Sequence, residues 1–240
     1  MLNKTGFAEA QVPHLTQQEI NRSLQTWIQF IVWMATFTPG FAIKYTGAPV
    51  LSAVFGASLL LQTMSSFVFL FVYAVSRLVL GFVVGPIFSV KTVLTFVTTL
   101  SPICFFSIGA LVKKGGRDET WRLVVYIVLN CIIAFTLGCK KVLISPVNLS
   151  LWGVNNLGTI VGRTMAALCI GGAVGPIIVW YGLSAPGDIY LDNSLNTSEQ
   201  QQTELESFVG DAMLILGGIG TIACLGFLFL VKLYTARPRH

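Results

Sequence analysis

This sequence predicts an all-α membrane protein with six transmembrane helices. Six apolar stretches, at residues 23–43, 57–82, 92–112, 121–143, 159–181 and 208–233, fill most of the 240 residues. Each is long enough, at about 20 residues and 1.5 Å per residue, to cross a hydrocarbon core of roughly 30 Å. Hydrophobic residues make up 54% of the chain and charged residues 10%, the reverse of a water-facing surface. Lipid offers backbone N–H and C=O groups no partner, so such stretches have to be helical.

The organisation follows in order. Residues 1–22 form a polar N-terminal segment, 23–235 the six-helix domain, and 236–240 a basic C-terminal tail. Pro49 marks the joint between the first and second spans, and Pro86 the joint between the second and third. Lys113 and Lys114 close the third span, and the fourth begins after Asp118 and Glu119 and ends beside Lys140 and Lys141. The fifth begins after Gly158, and a loop at 183–207, rich in Ser, Asn, Gln and Glu, leads to the sixth. No length is left for a folded extramembrane domain.

Charge gives orientation. An even number of spans puts both termini on one side, with the turns near Lys91 and around 145–158. That side carries Lys4, Arg22, Lys91, Lys140, Lys141, Lys232, Arg237 and Arg239 against Glu9 and Glu19. The other holds Lys113, Lys114, Arg117 and Arg122 together with Asp118, Glu119, Asp188, Asp192, Glu199, Glu204, Glu206 and Asp211. Lys and Arg counts set topology, so the termini are expected on the cytoplasmic or organelle-matrix side. A mitochondrial inner membrane is the expected location and the plasma membrane the alternative. The net charge of +5 is therefore an orientation signal; the expected partner is the bilayer, not nucleic acid.

Residues 1–25 lack both the short apolar core of a cleavable signal and the Arg-rich character of a transit peptide. Asn196 lies in a glycosylation sequon on the side away from the termini; Asn3, Asn21 and Asn148 lie in sequons on the terminal side. Cys104, Cys131, Cys139, Cys169 and Cys224 all lie in or beside spans and read as small apolar packing residues, with no zinc spacing. His14 and His240 are both terminal, and the spans hold no acidic pair. Neither a catalytic residue nor a metal ligand nor a cofactor site is expected, and the chain does not read as an enzyme.

Pro39, Pro49, Pro86, Pro102, Pro146 and Pro176 fall near span ends or inside spans, each removing a backbone donor. Gly81 and Gly85 form a GxxxG step, Gly171, Gly172 and Gly175 crowd the fifth span, and Gly217, Gly218 and Gly220 the sixth. Small residues let membrane helices approach closely, so these glycines are expected at helix contacts. Arg77 stands within an apolar run. An Arg at mid-membrane costs roughly 2.5–3.5 kcal/mol on insertion scales, which marks it as a functional candidate, with snorkelling toward the basic side as the alternative.

The residues from Trp27 to Gly40, Ile43 to Pro49, and the run Ser76-Arg77-Leu78-Val79-Leu80-Gly81 resemble the opening of the second half of a major facilitator superfamily transporter. The likeness is to the oxalate/formate antiporter and monocarboxylate branch. Asn156-Leu157-Gly158, Gly162-Arg163, Gly171 to Pro176, and the Arg237-Pro238 tail resemble that branch as well. The resemblance implies one half of the major facilitator fold, with a carboxylate site at the interface between two six-helix halves. Six spans beginning at Met1 would supply one wall of that cavity. The chain departs from the family's charged gating turn, where Gly85 and Phe88 replace its Asp and second Gly. It also departs from the expected pair of site cations, since the Lys of the fifth span falls near Leu168.

Two functions follow as expectations. The first is a degenerate transporter half kept as a structural or accessory subunit of a larger membrane complex, partnered by other membrane subunits. The second is a carrier of small mono- or dicarboxylates, acting as a homodimer or with a second half. In the carrier, Arg77 would meet the carboxylate, with Gln62, Tyr73 and Asn130 as polar contacts. Terminal tags on both ends should show the same protease accessibility in sealed membranes; opposite accessibility would refute the six-span topology.

Overall fold

The computed structural model describes residues 17–83, 89–114, 120–154, 156–184 and 199–235. Among these there are seven helices and no strand. A short α1 (Gln17–Arg22) precedes α2 (Leu24–Phe55), α3 (Leu59–Val83), α4 (Val90–Lys113), α5 (Thr120–Trp152), α6 (Leu157–Ser184) and α7 (Glu199–Thr235). The last six are long and apolar enough to cross a membrane, as the sequence predicts.

Local chemistry sets several ends. Ser23 caps α2, its hydroxyl accepting from Thr26 N–H at 3.3 Å, and Ser89 caps α4 the same way at 3.2 Å. Gly56 stops α2 in the left-handed region at φ 60, where a side chain would be strained, and its N–H reaches Ser52 O at 3.0 Å. Threonines within α2 hide their hydroxyls on the preceding turn: Thr36 donates to Val32 O, Thr38 to Met34 O and Thr46 to Ala42 O.

Three span boundaries differ from the sequence reading. The first helix continues twelve residues past Ile43, through Lys44 and Pro49, to Phe55. The fourth continues nine residues past Leu143 to Trp152, taking Lys140, Lys141 and Pro146 inside it. The last begins at Glu199, nine residues before Phe208, so the C-terminal part of the 183–207 loop is helical. Membrane helices tolerate internal proline when neighbours satisfy the freed carbonyls. Pro39, Pro49, Pro102, Pro146 and Pro176 all lie within helices, so Pro49, expected at the first joint, is an internal break. Pro86, Gly85 and Asn196 lie outside the described residues.

The bundle is built around α2, which packs against α3, α5, α6 and α7. Some 72% of its most apolar stretch is buried, against 22% for α3, which faces outward. Trp33 of α2 is fully buried and meets Phe227 of α7 edge-on at 4.9 Å. Both ends of the bundle are closed by polar contacts. At the end nearest the termini, Gln29 donates to Asn148 at 2.6 Å, Trp152 donates to Gln29 at 2.5 Å, and Asn148 donates to Thr164 at 3.1 Å. Ile20 of α1 packs on Trp152 and Ile160 beneath this network. At the opposite end, Arg122 donates to Leu111 O at 2.7 Å and Val112 O at 3.1 Å, closing the last turn of α4. Lys113 pairs with Asp211 at 2.5 Å.

The glycines divide. A Cβ on Gly171 would lie 2.8 Å from Met34 O, and one on Gly175 would collide with Thr38 O, so α6 sits directly on the α2 backbone. Gly172 lies against the Phe41 ring, Gly217 against Phe106 and Gly220 against Pro102. Gly81 and Gly218 meet nothing within 4 Å, which corrects their placement at contacts inside the bundle. Gly138, missed in the sequence because it stands alone on α5, is pressed against Ser76 and the Tyr73 carbonyl of α3. Gly175→Leu should therefore destabilise the folded protein by roughly 1–3 kcal/mol or more, and Gly218→Leu by under about 0.5 kcal/mol, in thermal unfolding in detergent. Equal effects would contradict this packing.

Candidate functional site

Lys44 lies about 30 Å along α2 from its start and about 17 Å from its end, at a rise of 1.5 Å per residue. Helix length thus places this cation well inside the bundle rather than at a flank. Its ammonium stands 5.7 Å from the Phe41 ring, 5.0 Å from Tyr45 and 5.8 Å from Tyr73. Lys141 of α5 reaches the same rings, 5.1 Å from Phe41 and 5.8 Å from Tyr73. Arg77 of α3 lies 4.3 Å over Tyr73, one turn away, and donates to its hydroxyl. Cations from three helices thus converge on two aromatic rings.

The rings answer these charges only in part. Cation–π contacts are worth about 0.5–2 kcal/mol each. All three cations lie within 6 Å of the Tyr73 centroid, so no two are more than about 12 Å apart. At an effective dielectric of about 20, each pair then repels by roughly 1.4 kcal/mol or more before screening. From Leu24 to Ser184 the only acidic residues are Asp118 and Glu119, which precede the far end of α5. Among the described residues, none of the three cations makes a salt bridge.

One residue before Lys141, Lys140 turns inward and is 2% exposed. Its ammonium donates to Thr36 O at 3.4 Å, one turn before the break at Pro39. Lys140 and Lys141, assigned from sequence to the terminal flank, belong instead to the interior. The orientation bias persists with Lys4, Arg22, Lys91, Lys232, Arg237 and Arg239.

A cavity of about 300 Å³ opens beside the cluster between α2, α3 and α5. Lys44 belongs to both. Asn130 lines the cavity, is 4% exposed, and its Oδ1 has no partner. Of the four polar residues marked from sequence, the structure brings Arg77 and Tyr73 into contact and places Asn130 on the adjoining wall. Gln62 is elsewhere: its amide donates to Ala57 O at 2.8 Å at the start of α3. The five cysteines are free, with Cys104 and Cys139 buried and Cys169 exposed.

No protein-family model matches the chain, and no curated protein or solved structure is similar to it. The facilitator resemblance therefore rests on its short motifs.

Lys140 supplies a test of the interior electrostatics. Lys140→Met should stabilise the bundle by up to about 3 kcal/mol, since a mid-membrane ammonium without an anion is costly and Met is of similar length. Destabilisation in thermal unfolding would show that its bond to Thr36 holds the α2 break together.

Proposed function

We propose that this chain binds an organic anion within the membrane and forms one wall of a carrier for carboxylates. The observation that carries this is the convergence of Lys44, Arg77 and Lys141 on Tyr73 and Phe41 without an acidic partner among the described residues. A carboxylate offsets the repulsion among them and accepts charge-assisted hydrogen bonds, which are strongest where the dielectric is low. Arg77 gives planar, two-point contact, and the lysines add mobile point charges. The short facilitator-like motifs support the same reading, and so does the cation pair. The fifth-span Lys expected from the resemblance is absent, but Lys44 and Lys141 stand in its place. Alternating access requires a second six-helix body, either another copy or a different half.

A second reading is an accessory subunit in which a carboxylate side chain of a neighbouring subunit meets the cluster. It draws on Gly81 of α3, whose open Cβ position on an outward-facing helix suits a close helix contact. For either role, the Lys and Arg distribution supports termini on the cytoplasmic or matrix side, and we propose an organelle inner membrane such as the mitochondrial one as the location. A glycan on Asn196 would overturn that location.

Arg77→Leu separates the two roles. For the carrier it should cut carboxylate uptake into liposomes at least about tenfold, the loss of a charge-assisted contact, and leave the assembly unchanged. Loss of partner subunits from the purified particle, with no uptake by the parent protein, would favour the subunit.

A further inference from the structure

The cavity beside the cluster asks for more than a negative charge. Asn130 is nine-tenths buried, and Tyr126, one turn before it on α5, donates its hydroxyl to Gly47 O at 3.4 Å. Asn130 Oδ1 is a buried acceptor without a donor among the described residues. Buried acceptors are almost always paired. Ile43, Phe69 and Leu70 give the cavity apolar walls, and Lys44, Tyr45, Ser65 and Ser66 join Asn130 in its polar lining. At about 300 Å³ it holds a ligand with on the order of ten non-hydrogen atoms.

A halide, a simple carboxylate or a short dicarboxylate matches only the Lys44 end. Ionised, each carries acceptors alone, leaves Oδ1 unpaired and leaves the apolar walls unfilled. We propose that this site selects carboxylates with a ring-sized apolar body and a hydroxyl or N–H donor, the carboxylate at Lys44 and the donor on Asn130 Oδ1. This inference rests on the anion reading above and narrows its substrate class.

The test is a ligand-observed NMR titration of the 240-residue chain in phosphatidylcholine nanodiscs, which carry no competing anionic lipid. The probes are benzoate, 3-hydroxybenzoate, 4-hydroxybenzoate and succinate. At least one hydroxybenzoate should bind about tenfold more tightly than benzoate, the worth of one hydrogen bond to a buried acceptor. Asn130→Leu should bring the two within about twofold of each other with benzoate affinity kept, and Lys44→Gln should weaken both. Should Asn130→Leu fail to fold, the comparison of ligands on the unchanged protein decides alone. If benzoate and succinate bind and the hydroxyl adds nothing, the donor-selective site is wrong and the anion reading stands. If none of the four binds, both are wrong.

Discussion

Hydrocarbon supplies neither hydrogen-bond partners nor counter-ions, so every polar group that this chain carries inside the bilayer has to be answered by another part of the chain or by a ligand. At the two ends of the bundle the answer is complete. Gln29, Asn148, Trp152 and Thr164 satisfy one another across α2, α5 and α6. Arg122 satisfies the last carbonyls of α4. In the middle it is not. Lys44, Arg77 and Lys141 find ring faces, and Asn130 keeps an empty acceptor. The contrast between closed ends and an open centre is what marks the candidate site.

The same constraint explains the shape of α2. A central helix has the most neighbours, so it can carry the polar and irregular residues that a lipid-facing helix cannot. Its threonines fold back on its own carbonyls, Pro39 and Pro49 interrupt its ladder, and α6 glycines press against its backbone. The outward α3 is regular and apolar on its exposed side, with Phe67, Phe71 and Phe82 left to lipid or a partner. It gives Tyr73 and Arg77 to the cation cluster and Ser65, Ser66, Phe69 and Leu70 to the cavity.

The number of spans is legible in the sequence because a 20-residue apolar run has no other stable home. Their ends are less so. The Lys140–Lys141 pair reads as flanking charge, since composition does not say whether a lysine beside an apolar run leaves the bilayer or turns into the bundle. Arg77 and Tyr73 are legible together, being one turn apart on one helix face. The convergence of Lys44 and Lys141 upon them is a product of tertiary packing and has no local signal. Asn130 and Gln62 look alike in sequence; position separates them, one at mid-helix and the other in a first turn, where free carbonyls are close at hand. Likewise nothing local distinguishes Gly218, which touches nothing, from Gly175, which touches the α2 backbone.

The most direct measurement is the distance between a bound carboxylate and the cationic nitrogens. Solid-state NMR of the chain in nanodiscs, with nitrogen-15 in lysine and arginine side chains and carbon-13 in the carboxyl of benzoate, reads it as dipolar dephasing. The account predicts dephasing by both lysine Nζ and arginine guanidinium nitrogens at about 4 Å or less, the arginine part abolished by Arg77→Leu and the lysine part reduced by Lys44→Gln. A bound carboxylate that shows no contact with either kind of nitrogen would contradict it.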